Sequence, residues 1–364
     1  MTLTLAPRAH STALALGITL ALASSLAAAD DRSAHDDGVP TFAVLPEGVR
    51  FPEGITANPR NGDIVVGTFD FGPNANALLR YDDRGRLQAR RDFGGTPLLG
   101  LAYGPRDGKV YIANFGASQI QRIAARFDST SAVETVATVP ALGAPADRSE
   151  PNPDGSSDTI KFGSNRFPAP NAMAFDKSGN LYVSDSFQGA IWRIDNAHAC
   201  AAPCPATLVK HDPLLATAGF PPFGANGLAL AGDGAALYVA NTGDDRVLKL
   251  DLAGGTLSVF AESVNGADGL AMDAQGLLWV AANQADALVA LNDKGRVVAT
   301  IGAFAGINRD GTPDGLLFPA SLVIVGRDAF IANLALPLTP AAGDEPEEDI
   351  TRWTISRVRL KHLR

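Results

Sequence analysis

Short apolar runs alternate with polar turns along this chain, and the alternation repeats. Segments 51–69, 97–115, 169–186, 224–242, 266–283 and 318–334 share one pattern: an apolar strand, a polar turn rich in Gly or Asp, and a second apolar strand. The turns at Arg106-Asp107-Gly108, Lys177-Ser178-Gly179 and Gly232-Asp233-Gly234 are hairpin signals. A third strand follows most copies, at 77–82, 118–123, 189–195, 245–251 and 286–292, and a fourth often follows that. Four antiparallel strands repeated six times predict an all-β, six-bladed β-propeller. No apolar period of 3.6 residues is sustained, which excludes a helical solenoid. The sixth copy lacks a fourth strand of its own, and its third falls at 354–360. Residues 41–45 form an orphan strand before the first copy. They are expected to complete the last blade and close the ring, removing the exposed edges of an open array.

Aligning the copies exposes two recurrent slots. The residue opening each first strand is Glu53, Leu99, Asn171, Asn226, Asp268 or Ala320. The residue ending each second strand is Thr68, Asn114, Asp185, Asn241, Ala282 or Asn333, always 13 to 15 positions later. The first strand of a blade lines the central channel. The second runs antiparallel to it, so both slots fall on one face of the disc. Glu53, Asn171, Asn226 and Asp268 should therefore converge at the channel mouth. Two carboxylates and two amides without Cys or His are hard oxygen donors, a set suited to calcium with water completing the shell, though another divalent cation could take the place. Asn114, Asp185, Asn241 and Asn333 are expected chiefly to fix the turns that follow them. They are also candidate supports behind the metal ligands, Asn114 and Asp185 in particular.

The N-terminus changes the picture of compartment. Arg8 and His10 precede an apolar run from Thr12 to Leu26, and Ala27-Ala28-Ala29 stands before Asp30. This layout predicts a signal peptide over 1–29, cleaved after Ala29, a leader over 30–40 and one propeller domain over 41–364. The run is short for a membrane span, so the expected product is secreted or periplasmic, without a membrane anchor. Cys200 and Cys204 then read as a local disulfide. The net charge is −9 and no basic stripe is present, which argues against nucleic acid as a partner. Two connections between blades are long, 140–170 and 302–319, and lead directly to Asn171 and Ala320. They are expected to border the mouth and set substrate choice.

The third copy, with LYVSDSFQGAIWRI at 181–194, and the order Glu53, Asn171, Asn226, Asp268 resemble the gluconolactonase/regucalcin family. The resemblance extends to paraoxonases and, more distantly, to strictosidine-synthase-like and NHL-repeat propellers. It implies that those four residues hold a catalytic divalent ion, usually calcium, and that the reaction is hydrolysis of sugar lactones or other cyclic and aryl esters. Paraoxonases use a histidine dyad, whereas here His10, His35, His198, His211 and His362 all lie outside the channel strands, and Gly269 follows Asp268. A metal-bound carboxylate mechanism is the closer expectation, with Asp268 as general base for water and Glu53 second. The expected partner is a small lactone or ester, and the expected assembly a monomer. The alternatives are a non-catalytic binding or scaffold propeller and a strictosidine-synthase-like condensing enzyme. No nucleophile elbow, phosphate loop or dinucleotide fingerprint is present.

Overall fold

The computed structural model describes residues 39–163, 167–339 and 341–361. The predicted signal peptide, 1–29, and leader positions 30–38 lie outside the described residues. Six four-stranded antiparallel sheets follow one another along the chain. Blade one runs Pro52–Ala57, Ile64–Thr68, Ala77–Tyr81 and Leu87–Asp92. Blade two runs Leu101–Tyr103, Lys109–Asn114, Gln119–Ala124 and Glu134–Thr138, and blade three Pro170–Phe175, Leu181–Asp185, Ala190–Ile194 and Thr207–His211. Blade four runs Ala225–Leu230, Ala236–Asn241, Arg246–Asp251 and Leu257–Glu262, and blade five Ala267–Met272, Leu278–Ala282, Ala287–Leu291 and Val297–Ile301. Blade six uses Pro319–Val325, Asp328–Asn333 and Thr354–Arg359. Its outermost strand is Thr41–Val44, which pairs with Thr354–Arg359 as the sequence pattern led us to expect. The propeller is thus closed by its own N-terminal strand.

Local chemistry explains the hairpins. Asp82, Asp273 and Asn292 each accept, through one side-chain oxygen, hydrogen bonds from the backbone N–H groups two and four residues on. This turn requires a left-handed residue at its fourth position, supplied by Gly85, Gly276 and Gly295 with φ of 76°, 84° and 71°. Second strands are buried on both faces and outermost strands are largely exposed. The core therefore fills the gaps between blades. Tyr111 of blade two packs with Val183, Trp192 and Ile194 of blade three, and Trp279 and Leu288 of blade five with Ile331 of blade six. Each such buried aliphatic side chain contributes about 1.5–3 kcal/mol.

The first strands pack against one another around the axis, and their approach is close. Gly100 N donates to Asn171 O at 2.8 Å. A Cβ on Gly227 would lie 2.1 Å from Asp268 O, so only glycine lets blade four approach blade five there. The two long connections are more ordered than their composition suggested. Arg148–Pro151 pairs with Ser157–Ile160, and Phe304–Ile307 with Pro313–Gly315, each as a two-stranded hairpin. Among the described residues no helix is long and apolar enough to cross a membrane.

Candidate metal centre and cavity

Each candidate ligand sits on a β-bulge. Between the pairs Pro52↔Thr68 and Ile55↔Val66, two residues, Glu53 and Gly54, oppose the single Gly67. The same irregularity places Asn171 and Ala172 against Ser184, Asn226 and Gly227 against Ala240, and Asp268 and Gly269 against Ala281. A bulge leaves one residue out of the ladder and re-aims its side chain. Here it turns four side chains into one cavity of about 230 Å³, which Glu53, Asn171, Asn226 and Asp268 all line. All four are buried, at 3%, 2%, 5% and 5% exposure.

A second ring of polar groups orients them. Asn171 Nδ2 donates to Ser186 Oγ at 2.9 Å, and that hydroxyl donates on to Ala225 O at 2.7 Å. Blade four repeats the relay: Asn226 Nδ2 donates to Thr242 Oγ1 at 2.9 Å, which donates to Ala267 O at 2.7 Å. A carbonyl cannot donate, so each hydroxyl must spend its proton there and accept from the amide nitrogen. The relay thereby settles which end of each amide is nitrogen and leaves its Oδ1 available as a ligand. Asn283 Nδ2 donates to Asp268 Oδ2 at 2.9 Å. Asp268 Oδ1 and Glu53 Oε2 are buried and accept no hydrogen bond.

Two buried carboxylates facing one cavity are hard to ionise together. Burial, and then the charge of Asp268, push the Glu53 carboxyl well above its usual range. Burial pushes Asp268 up to about 8, against the opposing pull of the hydrogen bond from Asn283 and of the nearby Asn226 amide. Among the described residues, no three His, Cys, Asp or Glu side chains cluster. A cation held here rests on two carboxylates assisted by amides.

Residues 215–304 match the family model of the SMP-30/Gluconolactonase/LRE-like region. This span holds blades four and five, including Asn226, Thr242, Asp268 and Asn283. The resemblance read from the sequence is thus supported by a match that covers part of the chain. No curated protein matches by sequence. Solved structures match over most of their length. A luciferin-regenerating enzyme aligns with TM-score 0.58 and 14% identity, covering 86% of this chain and 92% of that one. Regucalcin from Agrobacterium tumefaciens, described as a calcium-binding protein, aligns with TM-score 0.55 and 15% identity over 88% and 98% of the two chains. A protein described as a putative gluconolactonase gives 0.53 and 17% over 88% and 93%. At these identities the shared property is the six-bladed propeller fold.

The second-slot residues take the turn-fixing part that was their chief expectation, and the secondary expectation that they support the ligands does not hold. Asn114 bonds to Gln121 and to Ala117 N, and Asp185 to the backbone of Ala169 and Gln188 and the side chains of Gln188 and Trp192. Asn241 donates to Leu214 O and Ala216 O, and Asn333 to Thr354 and Ser356. None of these four hydrogen-bonds to Glu53, Asn171, Asn226 or Asp268 among the described residues. They fix turns and strands, while Ser186, Thr242 and Asn283, one position further on, hold the ligands. Strand alternation is the physical reason for the offset: Asp185, Asn241 and Ala282 pair with Pro170, Ala225 and Ala267, so the next residue on the second strand shares the face of the ligand. The rim meets expectation only in part, through Phe318 of the second long connection. The cavity wall takes Phe220 to Phe223 from the connection before blade four, Leu336 to Leu338 from the stretch after Asn333, and Phe318. The first long connection contributes no described residue to that wall. Its Arg148 is anchored by Asp244 and Pro213 O, and its Phe167 packs on Phe115 and Phe187. Cys200 and Cys204 form a disulfide, with Cα atoms 5.8 Å apart. It lies in the hairpin between Ala190–Ile194 and Thr207–His211, on the face away from the cavity. The neighbouring Ala197 O accepts from Tyr111 and Arg122 of blade two.

Proposed function

We propose that this protein is a calcium-dependent hydrolase of lactones or related carboxylic esters. The observation that carries the reading is the pair of buried, unpartnered oxygens, Glu53 Oε2 and Asp268 Oδ1, in a cavity whose other polar ligands are two oriented amides. Buried charge is tolerated when paired or coordinated to a metal. A dication answers both carboxylates at once, and an all-oxygen donor set with no imidazole or thiolate suits calcium. Glu53, Asn171, Asn226 and Asp268 would hold it. When bound, it supplies Lewis-acid polarisation of an ester carbonyl.

The chain's own residues supply the rest. Asn283 occupies Asp268 Oδ2 and leaves Oδ1 directed at the cavity. Asp268 is the general base that takes a proton from water, with Glu53 second in that role. The water oxygen bonds to the acyl carbon, the acyl–oxygen bond breaks, and the proton passes to the departing oxygen, giving a hydroxy acid from a lactone. The apolar wall limits competing water around the reacting group. The proposal places the protein outside the cytoplasm as a monomer; the Cys200–Cys204 disulfide agrees with an oxidising compartment.

The deciding experiment is thermal unfolding of the purified chain in chelator and in calcium, alongside a lactone and aryl-ester panel under both conditions. Calcium should raise the melting temperature and switch on hydrolysis. A melting curve indifferent to calcium would overturn the metal assignment.

A further inference from the structure

The side-chain polar groups of the cavity are committed except for Asn283 Oδ1, a buried acceptor beside Gly266 that has no hydrogen-bond partner. Glu53, Asn171, Asn226 and Asp268 form the proposed cation site, Thr242 is engaged with Ala267 O, and Asn283 with Asp268. The rest of the wall is hydrocarbon, with Phe69, Phe115, Phe223, Phe318 and Leu334 prominent. The rings of Phe69 and Phe115 lie 5.4 Å apart edge to face, and Phe223 stands 6.1 Å from Phe69.

We infer that the substrate is an apolar lactone or ester, carrying an aryl or similarly bulky hydrocarbon group, and that polyhydroxylated sugar lactones are rejected. This rests on the hydrolase reading above and narrows it. The several ring hydroxyls of a sugar lactone would leave water for a wall of phenylalanine edges whose one unpartnered side-chain acceptor beyond the carboxylates is Asn283 Oδ1. An aryl group would exchange water for the same ring edges, the geometry in which aromatic pairs attract. The size agrees. An apolar protein cavity of about 150 Å³ accepts benzene, so about 230 Å³ holds such a ring with a small ester beside it. Orientation follows from the two-sided lining, with the carbonyl toward the carboxylates and amides and the hydrocarbon toward Phe69, Phe115 and Phe223.

The test compares dihydrocoumarin and phenyl acetate with gluconolactone in the calcium-loaded protein. Calorimetry of the corresponding non-hydrolysable lactams, with and without calcium, runs in parallel. Dihydrocoumarin should exceed gluconolactone in kcat/KM by at least about 100-fold, the scale on which apolar pockets discriminate. Its lactam should bind at least about 10-fold tighter than gluconolactam. Phe223→Ser should lower kcat/KM for the aryl substrates by about 10-fold while preserving the calcium-induced melting shift. Phe71→Ser, at a ring 67% exposed that lines the same cavity, gives a second variant with little folding risk and should act in the same direction. Equal or preferred turnover of gluconolactone, or equal binding of the two lactams, would overturn the inference. Selective binding of the aryl lactam without hydrolysis of any ester would uphold it and refute the hydrolase reading instead.

Discussion

Blades three to five and blades two and six present the same backbone slot to the channel with opposite chemistry. In the first group the slot carries Asn171, Asn226 and Asp268, and the position behind it carries Ser186, Thr242 and Asn283. In the second the slot carries Leu99 and Ala320, and the position behind it Phe115 and Leu334. Blade one is mixed, with Glu53 in the slot and Phe69 behind it. In the other five blades polar slots come with polar supports and apolar slots with apolar ones, because a buried amide or carboxylate without a partner is costly whereas Leu or Phe needs only volume. A single repeated scaffold thus builds a polar half and a hydrocarbon half of one cavity. The chemistry lies in slot identity rather than in the fold.

The sharpest way to break the contrast is to neutralise its polar half. Asp268→Asn should lower kcat by about 10²–10⁴-fold, the usual contribution of a general base, and abolish the calcium-induced melting shift. The same variant should raise the melting temperature in chelator near pH 8, since it removes one of two buried carboxylates. A variant that keeps wild-type turnover would remove Asp268 from the mechanism.

Titration offers a second handle. The unfolded Asp268 carboxyl has a pKa of about 3.9, and the folded one without metal is raised to about 8. The fold therefore favours the protonated form. Stability from this group is fully present below about pH 4 and is lost as pH rises through 8. Calcium reverses the trend because its ligands must be deprotonated. The calcium-induced gain in melting temperature should grow steadily from pH 6 to pH 8. A gain independent of pH over that range would show that neither carboxylate is a ligand.

Smaller effects test the supports. Thr242→Val removes the acceptor for Asn226 Nδ2 at nearly constant shape, and calcium affinity should fall about 10-fold, the lower end for groups that orient metal ligands. Asn241→Ala, one position earlier, should leave affinity unchanged and reduce stability alone. Equal losses of calcium affinity from both would erase the one-residue distinction. The smallest effect on chemistry should come from the opposite face. Cys200→Ser with Cys204→Ser opens a short loop far from the cavity, costing less than about 3 kcal/mol of stability, with kcat/KM unchanged within about twofold for any ester that is turned over.

The blade pattern and the orphan strand were legible before any coordinates, since short apolar runs, Gly-bearing turns and constant spacing are local properties. The four slot residues were legible for the same reason: oxygen-bearing side chains stand out against an apolar strand start. Their partners, Ser186, Thr242 and Asn283, were not singled out; the secondary candidates lie one residue earlier. Counting along the chain does not say which residue of the second strand shares the ligand's face, which depends on the register with the neighbouring strand. The long connections at 140–170 and 302–319 drew attention by length and composition. The second of them does reach the cavity, through Phe318, but most of the rim comes from Phe220 to Phe223 and Leu336 to Leu338, short apolar stretches without a signal of their own.

The sequence by itself determined the blade count, the strand that closes the ring and the oxygen donors at the channel mouth, because each is written in local pattern and repeat. Only the tertiary structure decided which hydroxyls orient the amides, how the two carboxylates come to share one buried space, and which phenylalanines wall it. Those outcomes depend on residues distant in the chain meeting around a closed ring, where the position of each blade is set by its neighbours.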